Sequence, residues 1–443
     1  MAPEDLVALQ PAQLGVSGRL QANFRVEALP SAVEVETGSG RWLNVASDDL
    51  LGLGTDPRVK EALLSAARKV GLGRPVQSHL RDELQDRLQA TLGHRCAVVG
   101  ALGSTLQAVP SWRFAVDARS RGLVPEAPSV NSADEAEPLL SEQGLLGVVV
   151  EVVHPREGDL APLLSYAEAC QRAGGTLVAV DLLGLGTLGA GGAGACEHLG
   201  LVGPEALRLS ALGVGLPGRG VVLWGPAGLV AELEAQLEPP LLAPLGATTK
   251  ALEILAAEPH RRARALDVAG QLLGGLRQLG LDTGPCVTPW IPVWIGSADL
   301  ARAWLGALGE AGLAARAWLG PGNSRLLLSM AATASDDQVG QALEVLGRTA
   351  RKVGLVLTPR PATSPLLARP GSFATGTACA PHWFSHAAEP GQTEEAEPGP
   401  EHPLRDRLLD AVETVTWRAS NASGRTLRRT AEALRALLGR RRG

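Results

Sequence analysis

The sequence predicts an α/β protein with a mostly parallel central sheet flanked by helices. Three observations carry this. Apolar runs of strand length recur at 145–153, 176–180 and 220–224, each short enough to be a buried strand rather than a helix. Helical stretches lie between and around them, such as 166–173 ahead of the second run, and strand–helix–strand order predicts parallel pairing through right-handed crossovers. The second run ends on a carboxylate, Asp181, and glycines follow at 184, 186, 189, 191, 192 and 194. Open α/β sheets bind ligands beyond the carboxyl ends of their strands, and glycine lets a ligand or another backbone come close.

Before the first of these strands, residues 1–30 read as a helical arm with Leu6, Leu9 and Leu14 as its apolar positions. Alternation over 33–46 predicts a small hairpin. Asp56 is placed to cap a helix with Pro57 at its first position, and Leu63, Ala66, Ala67 and Val70 recur at helical spacing. Leu84, Leu88 and Leu92 form an i, i+4 stripe on the next helix. His79 precedes that stripe as a first-turn surface residue. A strand over 96–99 then turns into a helix over 100–107. There Gly103, Ser104 and Thr105 either cap the helix or hold a phosphate on its first N–H groups.

The second half predicts helices over 226–237, 248–258 and 261–279, the last leading into a smaller α+β domain. That domain has strands over 291–295 and 313–318, a helix over 300–311 between them, and a helix opening at Asp336. The domains expected are an N-terminal arm and hairpin (1–46), a large domain (47–260) and a small domain (261–358). A Pro- and Glu-rich linker (359–403) follows, too polar to bury a core and expected to be disordered. A helical tail (404–443) ends the chain. From Arg418 onward there are eight arginines and one acid, which reads as a membrane-surface or partner contact or as a solvated tail.

Composition narrows the function classes. A chain of 443 residues has room for two or three domains. Its net charge of −5 makes no case for nucleic acid, and 3 % aromatics means the core is built from Leu, Val and Ala. The five cysteines (96, 170, 196, 286, 379) contain no CxxC pair, which argues against a zinc site or disulfide framework and fits a reducing cytosol. The first residues carry early acids and no apolar core, unlike a signal peptide, and no apolar run approaches the ~18 residues of a spanning helix.

Several motifs together resemble one family. Asp181-Leu182-Leu183-Gly184-Leu185 with its glycines is similar to an Asp-Glu-Ala-His-Ser motif followed by GxxGxxGxG. Leu207-Arg208-Leu209-Ser210-Ala211-Leu212-Gly213 is similar to Thr-x-Ser-Lys-Ala-x-Gly. Gly158-Asp159-Leu160-Ala161-Pro162-Leu163 matches Gly-Asp-x-Ala-Pro-Leu. Residues 47–62 resemble an Asn-Tyr-Leu-Gly-Leu entry motif, and 322–330 a Gly-x-x-Arg-Leu-Arg segment. These belong to the α-oxoamine synthases, pyridoxal-phosphate enzymes of fold type I that include 8-amino-7-oxononanoate synthase, glycine C-acetyltransferase and serine palmitoyltransferase.

The resemblance implies a fold type I transferase-like domain and pyridoxal 5'-phosphate as cofactor. It implies that Asp181 faces the pyridine nitrogen, Gly103, Ser104 and Thr105 the phosphate, and Arg325 the substrate carboxylate through its bidentate fork. Arg325 read alone is equally a structural salt bridge at a strand start. The resemblance also implies a dimer, either of this chain with itself or with an active relative. Two family residues are missing. Ser210 stands at the Schiff-base lysine if no gap is allowed, and a one-residue gap deletes that lysine. The stacking histidine has no counterpart in 110–128. Lysine supplies both the imine and the base that moves the α-proton, and serine does neither. The expected function is therefore a non-catalytic subunit or scaffold of an acyl-CoA/amino-acid condensing synthase. The alternatives are an active acyltransferase and a membrane-associated small-molecule-binding module.

Overall fold

The computed structural model describes residues 19–73, 78–100, 102–108, 114–201, 203 and 206–358. A seven-stranded sheet forms its centre. In spatial order the strands are Cys96–Val99, Gly220–Trp224, Ala206–Leu212, Thr176–Asp181, Gly147–Glu151, Phe114–Asp117 and Ser129–Val130. All run parallel except Gly220–Trp224, which is antiparallel to both neighbours. Only 213–219 join it to the strand before, too short a link for a crossover helix, so the chain must turn back.

Helices on both faces explain the continuous apolar runs. Every residue of Thr176–Asp181 and Gly220–Trp224 is buried, as strands covered on two sides require. One face presents Val178, Val180, Leu207 and Leu209 to Val230 and Leu233 of helix Ala227–Gln236. The other presents Leu177 and Ala179 to Tyr166 and Ala169 of helix Leu163–Arg172. Further along that second face, Val222 and Trp224 meet Leu84, Leu88 and Leu92 of helix His79–Leu92. Strand side chains alternate, so Asp181 shares the second face with Leu177 and Ala179.

A second, antiparallel sheet runs in the order Arg19–Ala22, Arg316–Leu319, Ser324–Leu328, Ile291–Gly296. Helices His260–Gln278, Ala298–Glu310 and Asp336–Lys352 close over one face with Leu272, Trp304, Leu308 and Leu346. The indole N–H of Trp304 donates to Thr349 Oγ1 at 2.9 Å, which satisfies it inside this core. Helix Asp336–Lys352 opens with a capping box between Ser335 and Gln338.

Several expectations are corrected. Residues 19–30 are not part of a helical arm. Arg19–Ala22 and Ala28–Ser31 are strands, and Arg19–Ala22 pairs with Arg316–Leu319. Asn23 decides this, because its amide donates to the carbonyls of Leu305 and Leu313 and accepts from the amide of Ala315. Those partners lie nearly three hundred residues away, out of reach of local propensity. The hairpin over 33–46 forms, with Glu34–Thr37 against Gly40–Asn44. The run over 145–153 is two strands, Gly147–Glu151 and Val153–His154, and the second folds back onto Asp159–Leu160. The segment 110–128 holds the unexpected strand Phe114–Asp117. The helix expected at 248–258 begins earlier, at Leu242. Residues 1–18, the linker 359–403 and the basic tail 404–443 lie outside the described residues. Among the described residues no helix is long and apolar enough to cross a membrane.

Candidate functional site at the carboxyl edge of the central sheet

Three adjacent parallel strands end in acids: Phe114–Asp117, Gly147–Glu151 and Thr176–Asp181. Asp117 is occupied structurally. It accepts from the Tyr166 hydroxyl at 2.7 Å and from Ser120 Oγ at 3.2 Å, and it caps the turn at the Arg119 amide. Burial and that hydrogen bond push the Tyr166 phenol up.

Asp181 is 1 % exposed. Its Oδ1 accepts from the amides of Gly184 at 2.6 Å and Leu183 at 3.3 Å, and its Oδ2 from the amide of Ala195 at 2.7 Å. The glycine-rich segment therefore wraps around the carboxylate. A Cβ at Gly184 would lie 2.6 Å from Oδ2, and one at Gly194 would lie 2.4 Å from the same atom. Burial raises the Asp181 carboxyl, against the pull of the three amides. Ser210 lies beside it, its Cα paired with that of Asp181 across the parallel ladder. The Ser210 hydroxyl is fully buried and accepts from the Trp224 indole at 3.3 Å. Arg208 stacks on the same indole at 4.5 Å and donates to the carbonyls of Ala206, Leu201 and Gly203.

The other expected residues are spread out. Gly103, Ser104 and Thr105 fall in the helix Leu102–Ala108, directly after strand Cys96–Val99; Gly103 is exposed and Thr105 fully buried. His79 is exposed on the first turn of its helix. Arg325 starts its strand only 3 % exposed and realises the salt-bridge reading. Its Nη1 donates to Glu157 Oε1 at 3.2 Å and to the Arg156 carbonyl at 2.7 Å, and its guanidinium lies 3.6 Å from the Trp294 ring centroid. Burial lowers its pKa, with Glu157 opposing. The four lysines of the chain are Lys60, Lys69, Lys250 and Lys352. The first two are exposed on helix Pro57–Val70. Lys250 is ion-paired with Glu253, and Lys352 with Glu310 at 2.8 Å.

No protein-family model matches the chain. It is 30 % identical over 354 residues to the 8-amino-7-oxononanoate synthase of Anaeromyxobacter dehalogenans (strain 2CP-1 / ATCC BAA-258), spanning 70 % of this chain and 87 % of that protein. The like-named protein of Mycolicibacterium vanbaalenii is 30 % identical over 390 residues, 80 % of this chain and 99 % of the relative. The chain belongs to the α-oxoamine synthase family. Solved structures agree on the fold. The Sphingomonas wittichii serine palmitoyltransferase superposes with a TM-score of 0.68 at 20 % identity, covering 79 % of this chain and 98 % of that one. The Francisella tularensis 8-amino-7-oxononanoate synthase gives 0.59 at 17 %, covering 70 % and 98 %. The sheet is that of a fold type I transferase.

The α-oxoamine synthases are pyridoxal-phosphate enzymes, so the residues around Asp181 can be tested against that coenzyme. They do not fit it. The carboxylate is held by three amides of its own loop and closed from solvent. The hydroxyl at the lysine position is taken by Trp224. None of the four lysines faces Asp181: each is exposed on an outer helix or paired with a surface glutamate.

Sequence reasoning passed over what this edge does contain. His154 is buried; its Nδ1 is 2.9 Å from Asp159 Oδ1, and Arg119 holds the other oxygen at 2.8 Å. Burial would raise the Asp159 carboxyl, but these two partners outweigh it and keep it low. Glu151 is the sharper case, and its signal was a lone acid inside an apolar run. Burial pushes it up to about 7, although His154 and Arg156 pull it down; Glu157 and Asp117 add to the rise. The sign follows from linkage. The folded state favours the neutral acid, so its contribution is fully present below the ordinary 4.5 and is lost as pH rises through about 7. Glu151→Gln, which stays neutral, is expected to match the parent near pH 4.5. By pH 8 it should be more stable by roughly 3 kcal/mol. Urea unfolding across that range checks this; parallel pH profiles for the two proteins would refute it.

Proposed function

We propose that this chain is a non-catalytic member of the α-oxoamine synthase family, a subunit or scaffold of a synthase that condenses an acyl-CoA with an amino acid. One observation carries the reading: no amine reaches the Asp181 region. Schiff-base chemistry needs a lysine to form the imine and to shuttle the α-proton. Ser210 is too short, and its hydroxyl is already engaged. The sheet, its crossovers and the small domain persist without that group, which supports a role for the shape itself. Partnership with a second copy or with an active family member gives the shape a use.

The test is spectroscopic. Purified protein, incubated with excess pyridoxal phosphate and dialysed, is expected to show no visible imine band. It is also expected to retain no coenzyme after borohydride reduction. Stoichiometric trapping on one of the four lysines would overturn the reading and return the chain to the working acyltransferases. The same experiment on an intact family member serves as the positive control.

A further inference from the structure

An open groove of about 630 Å³ separates the hairpin of Glu34–Thr37 and Gly40–Asn44 from the last turns of helix Ala298–Glu310. The hairpin supplies Ser39, Arg41 and Trp42 to one wall. The helix supplies Gly306, Gly309 and Glu310 to the other. Asn23 also borders the groove, but its side chain is spent on the carbonyls of Leu305 and Leu313 and the amide of Ala315. A glycine inside a helix costs stability relative to alanine, and packing explains only one of the two here. A Cβ at Gly309 would stand 3.4 Å from the Trp42 ring, whereas one at Gly306 would meet nothing within 4 Å. Gly306 therefore serves no contact inside the chain. It leaves the groove open and lets a bound molecule come close to the helix backbone.

The two walls carry opposite charge. On the hairpin wall, the Arg41 side chain is 58 % exposed and lies 3.8 Å from Glu34. On the helix wall, the Glu310 side chain is 71 % exposed and pairs with Lys352, itself 64 % exposed, at 2.8 Å. Ion pairs this exposed hold weakly and give way to a better-placed partner. Glu310 is also the last residue of its helix, where the macrodipole is negative and favours a cation. The helix wall thus suits an ammonium and the hairpin wall a carboxylate. Trp42, half-buried, gives the groove a flat apolar surface.

We propose that this groove binds a zwitterion with a flat apolar body, a free aromatic amino acid, its carboxylate on Arg41, its ammonium at Glu310 and its ring against Trp42. A guanidinium takes a carboxylate through its fork, and aromatic rings attract one another in offset or edge-on contact. A space of this volume accommodates a molecule of that class. The site uses no residue around Asp181 and no lysine, so it stands independently of the scaffold reading.

The test is calorimetric titration of the full chain, without added coenzyme, with three probes. These are L-phenylalanine, phenethylamine, which lacks the carboxylate, and 3-phenylpropionate, which lacks the ammonium. Phenylalanine is expected to give a saturable heat, and each analogue to bind about fivefold more weakly, the loss of one solvent-exposed ion pair. Arg41→Gln should erase the preference for phenylalanine over phenethylamine, and Glu310→Gln its preference over 3-phenylpropionate. Gly306→Leu fills the groove and is expected to abolish the saturable heat. Its thermal midpoint should hold or rise, because leucine is the better helix former. No saturable heat with phenylalanine, an analogue that binds as tightly, or full affinity in Gly306→Leu would each overturn the proposal. Should Gly306→Leu fold poorly, the two charge variants decide, and preferences unchanged in both would overturn it.

Discussion

Asp181→Ala is expected to lower the free energy of unfolding by roughly 4 kcal/mol, a large share of the stability of an ordinary domain. The carboxylate accepts from the amides of Leu183, Gly184 and Ala195. Removing it strands those donors in a region closed to water, at about 1–3 kcal/mol for each one left unpaired. Asp181→Asn should be milder but still costly, because one of its two polar ends presents N–H to N–H. The measurement is urea or guanidinium unfolding, with the slope compared between variants to confirm that the same surface unfolds. A residue kept only to face a coenzyme would give a different result. Its loss would abolish coenzyme binding and leave the unfolding midpoint of the free protein nearly unchanged. An unchanged midpoint for Asp181→Ala would therefore sink the view that this carboxylate is the clamp of its own loop.

Gly194→Ala is the second large effect, expected to cost about 4 kcal/mol. Two independent penalties add here. The φ of Gly194 is +102°, a region that a Cβ makes unfavourable by about 1–3 kcal/mol. The added methyl would also stand 2.4 Å from Asp181 Oδ2. That contact is resolved only by moving the carboxylate, which breaks its bond to the Ala195 amide, or by shifting the loop, with overpacking of this kind costing typically 1–3 kcal/mol. Because Gly194 and Asp181 meet, the two substitutions are expected to be less than additive in the double variant. Unfolding of the single and double variants measures that coupling. Full additivity would mean that the glycine and the carboxylate act separately.

These two residues show how far the candidate site was legible from sequence. The acid at the strand end and the glycines after it were evident, and their closeness was expected. What the carboxylate contacts was not. The motif is compatible with a ligand at Asp181 or with the backbone itself filling that place, and only the fold of 183–195 decides between them. Arg325 repeats the lesson. Its position at a strand start could be read from the chain, but its stacking on Trp294 and its pairing with Glu157 join residues from three separate segments.

The sequence by itself determined that the chain is α/β with a mostly parallel central sheet, and that no amine stands at the family's lysine position. Buried parallel strands write themselves as continuous apolar runs, and the identity of a residue needs no coordinates. Tertiary structure alone decided that Arg19–Ala22 and Ala28–Ser31 are strands, that the strand Gly220–Trp224 runs antiparallel, and that Asp181 turns inward onto its own loop. Each of these is fixed by hydrogen bonds and contacts between segments distant along the chain, a kind of information that periodicity and local propensity do not contain.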